Sequence, residues 1–263
     1  MDGYPFRCRP CLVAALLLAA VRPCWSADPV ACVAEAVLAR HQAARVILVG
    51  ERHREPGSHA LFARLAEALA DRGERVLVAL EIPWDRGADL GAALGGADSP
   101  QFPVIDGPSY RELLARLGRL GDRGVSVAAV DASARDLEAR DGAMARRIAS
   151  ALDSGRYDRV VALVGNLHAL RTIPWAEQGG GAPREKLGAL LSAGTLGVAS
   201  VLQWFPDGCR EGRVPRFHGA GSSPAQSAVE GLWNLLHTGP PEPGSAARAA
   251  DAVVVWECAP AQS

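Results

Sequence analysis

The sequence predicts an α/β fold: one domain with a largely parallel sheet and helices on both faces, three layers in all. Three observations carry that prediction. The first is Val46–His53, Val-Ile-Leu-Val-Gly-Glu-Arg-His, whose short β-branched run lacks alternation. Such a run suits a strand buried on both faces. The second is that the phrase returns as Val161–His168, Val-Ala-Leu-Val-Gly-Asn-Leu-His, identical at five of eight positions. The third is a fourfold alternation of strand and helix patterns through this part of the chain, the signature of parallel strands joined by right-handed crossovers.

The elements follow in order. Pro29–His41 is alanine-rich with apolar Val33, Val37 and Leu38, and reads as a helix leading into the first strand. Gly50 ends that strand where the backbone must turn tightly or approach another group. Ser58 is the expected N-cap of a helix carrying Leu61, Phe62, Leu65 and Leu69 on one stripe, closed by Gly73. Val76–Leu80 is the second strand and ends in Glu81. Pro83–Pro108, rich in Gly, Asp and Pro, reads either as a lid or binding loop or as a short surface insertion with a helical turn near Leu90–Leu94. Ser109 and Glu112 form a capping box for a helix bearing Leu113, Leu114, Leu117 and Leu120. Val125–Val130 is the third strand, ending in Asp131. Ser133 and Asp136 start the next helix, with Leu137, Met144, Ile148 and Leu152 inward and Gly155 at its end. Arg159–Val164, the fourth strand, delivers Gly165-Asn166-Leu167-His168. Beyond it come a second loop at Arg171–Pro183, a short helix at Lys186–Leu191 and a strand at Gly197–Trp204. A helix at Val229–His237, a turn region at Gly239–Gly244 and a last strand at Ala252–Trp256 complete the chain.

Composition bounds the function. The 263 residues carry 49% hydrophobic and 22% charged residues and a formal net charge of −1. That balance supports a sizeable core and gives no electrostatic footprint for nucleic acid. Residues 1–26 read as a secretory signal peptide, with Arg7 and Arg9 before the apolar stretch Cys11–Val21 and small residues at Cys24–Ala27. The apolar stretch is well short of the ~20 residues a membrane helix needs. The mature domain is therefore 27–263, periplasmic or secreted, without a membrane span after cleavage. Cleavage leaves Cys32, Cys209 and Cys258, one disulfide and an odd thiol. Cys209 with Cys258 is the expected pair because both are C-terminal, and the spacing leaves Cys32 open as an alternative.

In an open α/β sheet the carboxyl ends of the strands form the ligand edge. Glu51, His53, Glu81, Asp131 and His168 all fall there, and the repeated Gly-x-x-His would bring His53 and His168 together. Such a set has two uses. His53, His168 and Glu81 can hold a divalent ion such as zinc, manganese or iron. Alternatively, Glu51, His53, Glu81 and His168 can act as acids and bases on a bound ester or amide. Arg52 and Arg54 flank His53 and suit an anionic group. His59 faces either the crevice or solvent. No Gly-x-Ser-x-Gly elbow, P-loop or dinucleotide fingerprint is present.

Gly50-Glu51-Arg52-His53, with Pro56 and His59 after it, resembles the opening motif of the ChaN-like haem-binding proteins. Leu80-Glu81 and Val164-Gly165-Asn166-Leu167-His168-Ala169 resemble that family's later motifs. The same superfamily takes in Tiki-type metalloproteases, with paired Gly-x-x-His motifs, and more distantly the erythromycin esterases. The likeness spans about Val46–Ala169. It departs at Arg54 and Ile82, where ChaN-like proteins usually carry an acidic residue and a methionine. The resemblance implies an exported protein with a haem or iron binding or uptake role, its cofactor haem or a divalent metal ion. Arg52, Arg54, Trp84 and Trp175 would then serve the ligand, with Phe102 completing an apolar slot. It attributes haem ligation to a tyrosine, and Tyr110 and Tyr157 are those left in the mature chain. A metal-dependent peptidase or esterase is the alternative, and a homodimer is left open.

Overall fold

The computed structural model describes residues 28–97, 102, 105–133, 140–172, 185–209, 212–236 and 244–259, with backbone alone for 233–236. The expected signal peptide, Trp175, Asp136, Leu137 and most of the Arg171–Pro183 loop lie outside these residues.

Helix α1 (Pro29–Arg40) starts on Asp28, whose Oδ1 accepts from the backbone N–H groups of Val30 and Ala31 at 2.9 and 3.3 Å. The first strand, β1 (Val46–Glu51), is buried at all six positions. The helix α2 (Pro56–Asp71) begins three residues earlier than expected, with Pro56 in its first turn and extended Glu55 as its cap in place of Ser58. Proline's fixed φ suits the first helical position, where no N–H is needed. Ser58 is therefore not a cap: it lies fully buried in the helix, its Oγ without a partner. Gly73, at φ +72°, follows the helix as expected.

Strand β2 (Val76–Pro83) runs into a 3₁₀ turn at Trp84–Arg86 and then helix α3 (Gly87–Leu94). Leu90 and Ala93 are buried, so this stretch is a packed helical insertion. The next helix, α4 (Pro108–Gly118), also opens on a proline, with Gly107 at the cap and no side chain bonding there. The expected Ser109–Glu112 capping box does not form, because the Ser109 hydroxyl is engaged elsewhere. Then follow β3 (Val125–Asp131), α5 (Arg140–Asp153), β4 (Arg159–Gly165), α6 (Asn166–Ala169), α7 (Leu187–Ser192) and β5 (Val198–Trp204). The chain closes with β6 (Arg213–Gly219), α8 (Ser223–Leu236), α9 (Ser245–Ala249) and β7 (Ala252–Cys258).

The seven strands form one sheet in the order β3-β2-β4-β1-β5-β7-β6, parallel except for β6 against β7. Helices α1–α4 cover one face through Leu38, Leu61, Phe62, Leu65, Leu113 and Leu117. On the other face, α5 and α7–α9 pack through Met144, Ile148, Leu187 and Val229. The α/β three-layer fold is thus as the sequence predicts. Strand β6 and helix α9 were not expected. An antiparallel edge strand reading Arg-Val-Pro-Arg-Phe-His-Gly carries little apolar signal, and Pro215 is tolerated only at such an edge. Cys209 and Cys258 form a disulfide, tying the loop after β5 to the end of β7. Cys32 is also disulfide-bonded in the full-length chain, whereas the odd thiol is expected of the chain after residues 1–26 are removed. Among the described residues no helix is long and apolar enough to cross a membrane.

Candidate functional site

The sheet order sets the site. Strands β3, β2, β4 and β1 are consecutive neighbours, so Asp131, Glu81, His168 and the Glu51–His53 pair line one edge in that sequence. The two repeated motifs lie side by side, with Gly50 opposite Val164 and Glu51 opposite Gly165, a stagger of one residue.

Glu51 is 3% exposed. Its Oε1 accepts from His53 Nδ1 at 2.7 Å, and its Oε2 faces His59 Nε2 at 3.3 Å, off-line for a full hydrogen bond. Burial opposes the charge on Glu51, but the hydrogen bonds and charge of the two imidazoles outweigh it and hold the pKa below the ordinary carboxylate value. His53 responds in the opposite sense. The Glu51 hydrogen bond lifts its pKa above 6.5, against a smaller opposing contribution from burial. With Nδ1 on the carboxylate, Nε2 is the nitrogen left for the crevice, on a side chain that is 33% accessible.

A second dyad sits across from the first. His168 Nδ1 meets Asp141 Oδ1 at 2.6 Å, and His168 Nε2 lies 3.7 Å from Glu81 Oε1. Asp141 also accepts from the Leu187 backbone N–H at 2.9 Å and has Lys186 Nζ 3.6 Å away. Burial opposes its charge, but His168, Leu187 and Lys186 together lower its pKa. Glu81 is held from both sides: Oε2 accepts from the Gly165 N–H at 2.6 Å, and Oε1 is bound by Arg140. Arg140 in turn grips Asp131 through Nε and Nη2, each at 2.6 Å. A Cβ built on Gly165 would lie 3.4 Å from His53 Nε2 and 3.6 Å from Glu81 Oε2. Both dyads therefore open onto the carboxylate of Glu81.

Beneath the edge a buried amide network fixes the strands. Asn166 donates to Gln203 O and accepts from Gln203 N, while Gln203 Nε2 donates to Gly50 O and Trp256 Nε1 donates to Gln203 Oε1.

Glu51, His53, Glu81 and His168 are brought together as expected. The flanking residues are less uniform. Arg52 makes an exposed ion pair with Asp207 at 3.7 Å, of little energetic weight. Arg54, at φ +64°, lines a cavity of about 590 Å³ beside Ser109, Asp106 and Glu112. Trp84 is 51% exposed with the Arg147 guanidinium 5.4 Å over its ring, whereas Phe102 is buried in the core and walls no slot. Tyr110 is 1% exposed beside His59, and Tyr157 packs against Arg156. The described residues thus offer haem no open tyrosine ligand: Tyr110 is enclosed and Tyr157 packs under Arg156. A divalent ion fits no better, because Arg140 already supplies the cation between Glu81 and Asp131. Among the described residues no group of three or more His, Cys, Asp or Glu is arranged to hold a metal. Arg140, Asp141 and His59 are the site residues that sequence reasoning did not assign.

No family model matches the sequence, and no curated protein matches it. Solved structures do. A mutant of erythromycin esterase EreC in its open conformation matches with a TM-score of 0.56 at 11% identity, covering 84% of this chain and 92% of that one. A Bacillus cereus protein matches at 0.55 and 12% identity, over 89% and 94%. ChaN of Campylobacter jejuni, solved with cofacial haem, matches at 0.48 and 10% identity, over 85% and 91%. The first two show a shared fold.

Proposed function

We propose that this chain is an exported hydrolase acting on a small-molecule ester, using two carboxylate-anchored histidines and no metal. The observation that supports it is the pairing of each crevice histidine, through Nδ1, with a buried carboxylate: Glu51 with His53 and Asp141 with His168. Such pairing fixes the ring and its tautomer and directs Nε2 at the reacting group. The EreC likeness supports a fold that accommodates ester hydrolysis and says nothing about the residues. Export is supported by the N-terminal stretch and by the Cys209–Cys258 disulfide.

His53 is the base. Its Nε2 takes a proton from water as the water oxygen bonds to the ester carbonyl carbon, and Glu51 balances the imidazolium that forms. His168, with a carboxylate facing each nitrogen, is the acid. It gives the Nε2 proton to the alkoxide as the carbon–oxygen bond breaks. Proton exchange with solvent then restores both rings. Arg140 keeps Glu81 and Asp131 from repelling each other across the crevice.

The test uses residues 27–263, a set of p-nitrophenyl esters and a macrolactone, and the variants His53→Ala and His168→Ala. Wild type should hydrolyse at least one ester with or without chelator, and each variant should lose roughly 10²–10⁴-fold in kcat. Hemin titration and metal analysis run alongside. Stoichiometric hemin uptake without ester turnover, or turnover lost on chelation, would sink the proposal.

A further inference from the structure

His59 has no part in the mechanism above, yet it is among the least exposed polar residues in the chain, at 2%. It stands on the first turns of α2 with its ring edge-on to Tyr110, centroids 5.2 Å apart. Its two nitrogens face two different groups. Nδ1 lies 2.8 Å from Ser109 Oγ on α4, and Nε2 lies 3.3 Å from Glu51 Oε2.

We infer that His59 is a positioning residue: it holds the second oxygen of Glu51 so that the first stays on His53, and the Ser109 hydroxyl satisfies its other nitrogen. The proton assignment is forced from the carboxylate outward. An ionised Glu51 only accepts, so the nitrogens facing it, His53 Nδ1 and His59 Nε2, must carry hydrogens. A neutral His59 protonated at Nε2 has a lone pair at Nδ1, and the Ser109 hydroxyl donates to it. The chain then reads Ser109 O–H to His59 Nδ1, His59 Nε2–H to Glu51 Oε2, and His53 Nδ1–H to Glu51 Oε1. Every buried polar atom along it has a facing partner, and the lone pair at His53 Nε2 is left for the crevice. The oblique His59–Glu51 approach is of the kind that tightens when a substrate is bound. Ser109 also lines the cavity beside Arg54, so occupation there bears on the outer end of the chain.

This inference rests on the proposed function only for its kinetic readout. The decisive measurement is the ¹⁵N spectrum of the imidazoles at alkaline pH, where neutral rings report their tautomers, with His53 and His59 assigned by loss of signal in single variants. In wild type His53 should be the Nδ1–H tautomer and His59 the Nε2–H tautomer. His59→Leu removes one of the two donors to Glu51, so His53 should become a mixture of tautomers, and kcat on a p-nitrophenyl ester should fall about tenfold at unchanged KM. His59→Gln, whose amide reaches the same oxygen, should restore both. Ser109→Ala removes the partner of Nδ1 and should leave His59 as the Nε2–H tautomer, because Glu51 still demands that hydrogen. An Nδ1–H His59 in this variant would overturn the inference, which keeps the test decisive if His59→Leu fails to fold. His53 unchanged in folded His59→Leu, or an Nδ1–H His59 in wild type, would overturn the inference. The expected tautomers in a wild type that cleaves no ester would uphold the positioning role and remove the hydrolase assignment alone.

Discussion

The two glycines of the repeated motif occupy equivalent places in sequence and different places in space, and substituting each should separate folding from function. A Cβ on Gly50 would come within 2.3 Å of Asn166 Oδ1 and 3.0 Å of Asn166 Cα. Backbone is involved, so rotating a side chain does not relieve the clash. Overpacking of this kind costs about 1–3 kcal/mol. Displacing Asn166 also breaks its paired hydrogen bonds with Gln203, at about 1–3 kcal/mol for buried groups left unsatisfied. Reduced unfolded-state freedom returns about 0.4–1 kcal/mol. Gly50→Ala should therefore lose about 2–5 kcal/mol, on the order of 10 °C in Tm for a domain this size. Gly165 has φ −54° and ψ 143°, open to any residue, and its Cβ meets only the tips of His53 and Glu81. Gly165→Ala should stay within about 1 kcal/mol of wild type. It should nonetheless lose ester turnover by roughly 10²-fold or more, because the methyl sits against the general base. Urea unfolding and steady-state kinetics on both variants decide it. Equal stabilities, or a Gly165→Ala variant less stable than Gly50→Ala, would refute the assignment of the two glycines.

Three further predictions follow from the same geometry. Asp141→Asn should cut kcat by about 10²–10⁴-fold with a stability loss of only about 1–2 kcal/mol, measured by kinetics and urea unfolding, because His168 keeps its place and loses its anchoring charge. Glu51 and Asp141 have lowered pKa values, so their contribution is complete above the ordinary 4.5 and 3.8 and is lost as pH falls through the lower folded values. That of His53 is complete below 6.5 and is lost as pH rises through its higher folded value. Stability should therefore fall in wild type as pH rises from 6.5 through the higher folded value of His53, and not in Glu51→Gln, as chemical denaturation across pH will show. Replacing Cys209 and Cys258 together with alanine opens a loop spanning 49 residues. It should cost about 2–4 kcal/mol by thermal or urea unfolding, with ester turnover unchanged, because the crosslink lies at the β5–β7 side of the sheet.

The part of the site legible in sequence is the part carried by strands. A buried parallel strand announces itself by an apolar run, and whatever polar residue ends the run must lie at the ligand edge, so Glu51, His53, Glu81 and His168 could be read directly. Arg140 and Asp141 could not. A helix expected to start at Ser133 and Asp136 places them on a helix whose exposed face normally carries charges. Only the sheet order, which sets β3 beside β2, brings the start of α5 to Glu81 and His168. Ser109 was misread for a related reason. Ser-x-x-Glu before an apolar stripe satisfies the capping pattern, but Pro108 already supplies a first-turn residue needing no cap, which frees the hydroxyl for His59.

The repeat explains why one dyad is visible in the chain and the other is not. The residue after the motif's glycine is Glu51 in the first copy and Asn166 in the second. Glu51 turns to the histidine two residues on and makes a dyad within one motif. Asn166 is committed differently: its amide joins Gln203 on β5, whose own amide reaches Gly50 O on the strand between them. An ionised carboxylate there could accept from Gln203 N but could not donate to Gln203 O, and a buried acceptor would be left unpaired at about 1–3 kcal/mol. The central strands thus require an amide at that position, and His168 must take its carboxylate from another element. Asp141, at the start of α5, supplies it. The two histidines end with the same partner chemistry through different routes, one written locally and one created only when α5 docks on the sheet.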